Sequence, residues 1–115
     1  MNKVFFGFAI ADSMFQGDAT IQRRTLTVEQ VRELISEGVV PCLNPSHIAT
    51  IDAMRARYGL EVAIPDRAPQ VSLNTGDSVI VMGVRGLPRL DASRHEYTSE
   101  EIAGATFSFS IYTVL

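Results

Sequence analysis

A single cysteine, Cys42, leaves no partner for a disulfide within this chain, and tryptophan is absent. The two histidines, His47 and His95, stand with Cys42 at spacings that match no metal site, so neither a metal nor a cofactor is expected. Gly83 and Gly86 alone do not make a phosphate-cradling loop, and no nucleophile-elbow pattern is present. Long apolar runs are also missing. The opening MNKVFFGFAIADSMF breaks at Asp12, well short of a spanning helix, and lacks a convincing secretion signal. The expectation is a cytoplasmic protein with no membrane partner. Basic charge is scarce: 10 Lys and Arg face 13 Asp and Glu, a net charge of −3 at pH 7. That balance argues against a protein that coats duplex nucleic acid, which needs a basic face. A few well-placed arginines can still serve a small anion.

What is present is a chain of 115 residues, 46% hydrophobic, enough for one compact domain over residues 1–115. Its hydrophobic period changes repeatedly. Lys3 to Ile10 reads as a buried strand and Ala19 to Leu26 as a second, with Arg23 and Arg24 at a rim. Thr27-Val28-Glu29-Gln30 is a capping box that opens a helix running to Gly38. Val39 to Leu43 is a short strand. A second helix then buries Ile48, Ile51, Met54 and Tyr58, shows Asp52, Arg55 and Arg57 to solvent, and ends at Gly59. Val71 to Leu73 and Ser78 to Val84 flank an Asn74–Asp77 turn as a hairpin. Thr98 caps a brief helical turn before a final strand from Ala105 to Leu115, with Phe107, Phe109 and Ile111 on one face. Strands and helices mix without a regular βαβ repeat. The pattern predicts an α/β fold, a single domain with a mixed β-sheet flanked by helices.

One stretch, CLNPSHIATIDAM from Cys42 to Met54, is chemically odd. Asn44 followed by Pro45 is a helix start, which puts His47 in the first turn. A cation there meets the positive end of the helix dipole, whereas a phosphate is welcome. A histidine so placed becomes a proton donor when a phosphate diester arrives. It can then act as general acid toward a leaving oxygen. If the phosphate belongs to RNA, the neighbouring 2′-hydroxyl is a ready nucleophile and no metal is needed. The plainer alternative is that His47 only hydrogen-bonds a neighbouring loop.

The order and spacing of several segments resemble the viral ring nuclease family, small type III anti-CRISPR proteins first seen as orphan proteins of archaeal viruses. The likeness runs through MNKVFFGFAIADSMF, the TVEQVRELISEG helix, NPSHIATIDAM with the closing YGL, and the Arg67 loop. It continues through NTGDSVIVMGVRG, TSEEI and FSFSIYTVL. The resemblance implies a homodimer that binds cyclic tetra-adenylate, a cyclic oligoadenylate second messenger of type III CRISPR immunity. It also implies metal-free cleavage to linear products ending in a 2′,3′-cyclic phosphate, in the host cytoplasm if the protein is viral. A twofold dimer suits a ring with rotational symmetry.

By the same resemblance His47 matches the catalytic histidine, and Arg85, at the end of the hairpin strand, matches a phosphate-clamping arginine. Arg67 corresponds to the other ligand-binding arginine, with a slip of one residue around Pro65. Where the family often has polar residues, this chain has Phe8, Ala11 and Ser13, and only Ser13 retains a side-chain hydrogen bond for the ligand. The archaeal-virus members carry a glutamate just after the arginine; here Arg85-Gly86-Leu87-Pro88-Arg89-Leu90-Asp91 has none, and Asp91 is the nearest acid. Read without the family, Arg85 is a solvated strand-end charge and Arg67 a loop ion-pair partner. Arg89 pairs with Asp91, and His95 is an exposed loop residue with no assigned role. Two other functions stay open. One is a sponge that holds the ring without cutting it; the other is a small protein-binding inhibitor.

Overall fold

A computed structural model describes residues 2–67, 69–86 and 98–115. Its five strands form one sheet. They are β1 (Val4–Gly7), β2 (Ile21–Leu26), β3 (Val40–Pro41), β4 (Ser78–Arg85) and β5 (Thr106–Val114), arranged in the order β2-β5-β4-β1-β3. β1 runs parallel to both neighbours, with Phe5 level with Val40 on one side and Val79 on the other. β5 runs antiparallel to β4 and to β2. The sheet is therefore mixed, and the domain is α/β.

Three helices are described: α1 (Val28–Glu37), α2 (Ile48–Tyr58) and α3 (Ser99–Ala103). Their starts obey local chemistry. The Thr27 side chain accepts from the Gln30 backbone N–H while the Gln30 side chain accepts from the Thr27 N–H, satisfying two donors that the first turn leaves free. Thr98 and Glu101 repeat the device at α3. α2 stops at Gly59, whose φ of 64° is the left-handed conformation that a side chain resists.

Alternation along the strands divides the core between the two faces. Phe6, Ile80, Met82, Phe107 and Phe109 meet the buried helix residues Val31, Ile51, Met54 and Ile102, so all three helices lie on one side. Phe5, Val79 and Val114 face the other way, where Val71, Leu73 and the half-buried Met14 and Phe15 cover them.

Several boundaries differ from the expectation. β1 spans only Val4–Gly7, because the chain turns outward into a 3-10 turn at Asp12–Met14. The Asn74–Asp77 turn forms, with the Asp77 N–H donating to the Asn74 carbonyl at 2.9 Å, but it does not close a hairpin. Leu73 instead bridges Phe15 in parallel and donates its N–H to the Met14 carbonyl at 2.7 Å, while β4 pairs with β1 and β5. The turn is held by the chain ends rather than by a partner strand. Asp77 accepts from the Lys3 and Asn74 N–H groups at 2.8 and 3.0 Å, and Gly76, at φ 92°, donates to the Val114 carbonyl. Ile48, expected inside, is 42% exposed: it is the first residue of α2, and the helix buries Thr50, Ile51 and Met54 instead. Arg89, Asp91 and His95 lie outside the described residues.

Candidate functional site

β1 and β3 are adjacent and parallel, yet the chain leaves their carboxyl ends toward opposite faces. After Gly7 it passes to the Asp12–Met14 turn, whose Met14 packs with Phe5 and Val79. After Pro41 it passes to α2, whose Ile51 and Met54 pack with Phe6 and Ile80. Such a divergence opens a crevice beyond the strand ends, the usual ligand position in open α/β sheets. A cavity of about 350 Å³ lies there. Met14, Val71 and Val79 make its apolar floor, and Ser13, Asn44, His47 and Gln70 supply the polar lip.

His47 reaches the crevice by a slightly different route from the one its sequence predicts. Asn44 does cap, its side chain accepting from the Ser46 N–H at 3.0 Å, but the turn it opens, Pro45–His47, is 3-10. His47 closes that turn and is the residue immediately before α2, not part of its first α-helical turn. Its side chain is exposed and still stands at the helix N-terminus, where the backbone favours an anion. The ring of Phe8 lies against the imidazole, 5.3 Å between centroids and 73° between planes.

Ser13 and His47, 34 residues apart, thus share one cavity. The two arginines do not line it. Arg67 is exposed on the loop that leads to Pro69 and Gln70, which do. Arg85 is the last residue of β4, opposite Thr106, and exposed. Because Gly7 is level with Val81, Arg85 sits about 13 Å further along the same direction at roughly 3.3 Å per residue. By alternation it shares a sheet face with Val79 in the cavity floor. Cys42, Asn44 and Gln70 are lining residues that sequence reasoning did not assign. Asn44 was visible as a cap, but nothing in the local pattern marks Gln70.

Cys42 is half-buried, and that burial pushes its thiol up, against the opposing influence of the Phe6 backbone. The thiol stays protonated at neutral pH and is a poor nucleophile. Among the described residues no three His, Cys, Asp or Glu side chains gather where a metal ion could be held, and no helix is long and apolar enough to cross a membrane.

The fold and cavity together define a small α/β domain with a crevice at the carboxyl ends of its parallel strands. Among solved structures the chain is similar to B116 of Sulfolobus turreted icosahedral virus. The two share 19% identity over 97% of this chain and 99% of that one, with a TM-score of 0.64. At that identity the likeness is one of fold. No protein-family model and no curated protein matches the chain.

Proposed function

We propose that this protein is a metal-independent ring nuclease that binds a cyclic oligoadenylate, cyclic tetra-adenylate first, and cuts it as a homodimer. The observation that carries this reading is the shared cavity of His47 and Ser13 at the start of α2. An exposed imidazole, a hydroxyl and a helix N-terminus are the groups a phosphodiester needs, and they converge on one cavity. The likeness in fold to a protein of an archaeal virus agrees with the sequence resemblance.

In the proposed reaction a ribose 2′-oxygen attacks the adjacent phosphorus while the bond to the 5′-oxygen breaks. The 2′-hydroxyl proton passes to solvent, and protonated His47 gives its proton to the departing 5′-oxygen. The products are a 2′,3′-cyclic phosphate and a free 5′-hydroxyl. Ser13 hydrogen-bonds the phosphate, and Arg85, reached only by an extended ligand, holds a second phosphate bidentately. A second copy, related by a twofold axis, offers the same groups to the opposite side of the ring.

A second reading, a protein that binds the ring and leaves it intact, is favoured by one feature. Among the described residues no carboxylate contacts His47 to assist proton transfer. One experiment separates these readings. Purified protein is incubated with cyclic tri-, tetra- and hexa-adenylate in the presence of a chelator, and the products are resolved by chromatography. Linear products that vanish in His47→Ala support the nuclease. Retention of intact ring supports the binder. Neither outcome leaves a protein-binding role.

A further inference from the structure

Catalytic histidines are commonly aligned by a hydrogen bond at the ring nitrogen turned away from the substrate. His47 has none: among the described residues no side chain hydrogen-bonds its imidazole. What touches the ring is Phe8, in an edge-to-face contact of 5.3 Å between centroids.

Phe8 is well placed to act as a fixed surface. It lies at the bend directly after Gly7, the last residue of β1, two residues beyond Phe6, where that strand is paired on both sides. Its own ring is half-buried and packs against the helix-side core. By contrast, His47 is exposed and sits at the junction of two helical turns, where an unsupported side chain would sample several rotamers. The exposed, chemically competent group rests on the half-buried, inert one.

We infer that Phe8 is the positioning residue of His47. This rests on the reading of His47 as the general acid. The packed ring does the work a carboxylate or carbonyl does elsewhere, restricting the imidazole to the orientation that faces the cavity. It does so without occupying either ring nitrogen, so both stay available to the substrate and to water. Phe8 also lines the cavity, but its edge-to-face contact is with the proton donor, so its removal is expected to act more on turnover than on affinity.

The test has a structural arm and a kinetic arm. In the NMR spectrum of the full chain the imidazole C–H resonances of His47 are identified by their loss in His47→Gln, His95 being the only other histidine. The Phe8 ring current displaces them. Phe8→Leu, which keeps an apolar side chain against the core, is expected to move them toward the positions of an unstructured histidine. Phe8→Tyr, which keeps the ring, is expected to leave them in place. With cyclic tetra-adenylate, kcat is expected to fall about ten- to a hundredfold in Phe8→Leu, KM to change less than about threefold, and Phe8→Tyr to recover most of the loss. His47 resonances that are the same in wild type and Phe8→Leu would overturn the inference, as would a Phe8→Leu loss confined to KM. If wild-type protein cuts no ring, the nuclease reading fails, and the resonances alone decide whether Phe8 holds His47.

Discussion

Arg57, near the end of α2, donates a hydrogen bond of 2.6 Å to the backbone carbonyl of Ala105, just before β5. The same guanidinium donates to the carbonyls of Ile102 and Ala103 at 3.2 Å and lies 4.9 Å from the centre of the Phe107 ring. A residue whose spacing marks it as solvent-facing is thus the clamp between α2, the end of α3 and the start of β5. Carbonyls at a helix end have no intrahelical donor, and a planar cation with several N–H groups suits three of them at once. Arg57→Ala is expected to lower the unfolding free energy by about 1–2 kcal/mol, since charge-assisted hydrogen bonds count for more than neutral ones. Arg57→Lys should recover less than half of that, because an ammonium lacks the fork. Urea denaturation with an unchanged slope checks both.

Asp77 makes stability depend on pH. Burial works against its ionisation, but the Lys3 and Asn74 N–H groups and the Lys3 charge outweigh that, holding the carboxyl below its usual range. The folded chain then binds fewer protons here than the unfolded one at mildly acidic pH. The contribution is full above the unfolded value of about 3.9 and is lost as pH falls through the lower folded value. Melting curves taken from neutral pH downward should show Asp77→Asn starting less stable than the parent, with the gap closing in acid. A constant gap would mean that Asp77 does not titrate differently in the two states.

For His47, the expectation is a separation of binding from chemistry. His47→Ala should cut cyclic tetra-adenylate at least a hundredfold more slowly while its affinity for the intact ring stays within about threefold, because general-acid help is felt mainly in the transition state. Single-turnover rates alongside a ligand titration read the two quantities. A mutant that cuts at the parental rate removes His47 from the mechanism.

Arg85 lies beyond the cavity and is expected to behave in the opposite way. Arg85→Ala should weaken ring binding about tenfold or more, and the loss should shrink as salt is raised, since a charge on a phosphate is screened. Titration of the intact ring into the His47→Ala background, with and without Arg85→Ala, isolates the effect. Equal affinities at low salt would place Arg85 among ordinary exposed strand-end charges.

Parts of the molecule were legible because their causes are local. Thr27 with Gln30, Thr98 with Glu101, and the stop at Gly59 lie within a few residues of the groups they satisfy, so side-chain chemistry and backbone geometry suffice to predict them. The Phe107–Phe109–Ile111 stripe follows equally from strand alternation. Val71–Leu73 shows where that reach ends. Its turn and alternation fit a hairpin, yet the segment crosses to Phe15 and Met14, and only the apolar demand of Phe5 and Val79 on the far face explains why. The site was half legible. Asn44-Pro45 announced a helix start and with it His47, while Gln70 and Cys42 carry no pattern that points to a cavity.

Sequence alone determined that this is one α/β domain with capped helices and a histidine at the mouth of the second, because hydrophobic period and capping act over three or four residues. The tertiary structure decided which strands pair, that β1 lies between β3 and β4, and that Phe8, Ser13 and His47 meet where the chain diverges to opposite faces. Those outcomes depend on burial shared between segments tens of residues apart. The register of β1 against β4, 74 residues later in the chain, is chosen by what both faces of the sheet must cover and not by any neighbour in the sequence.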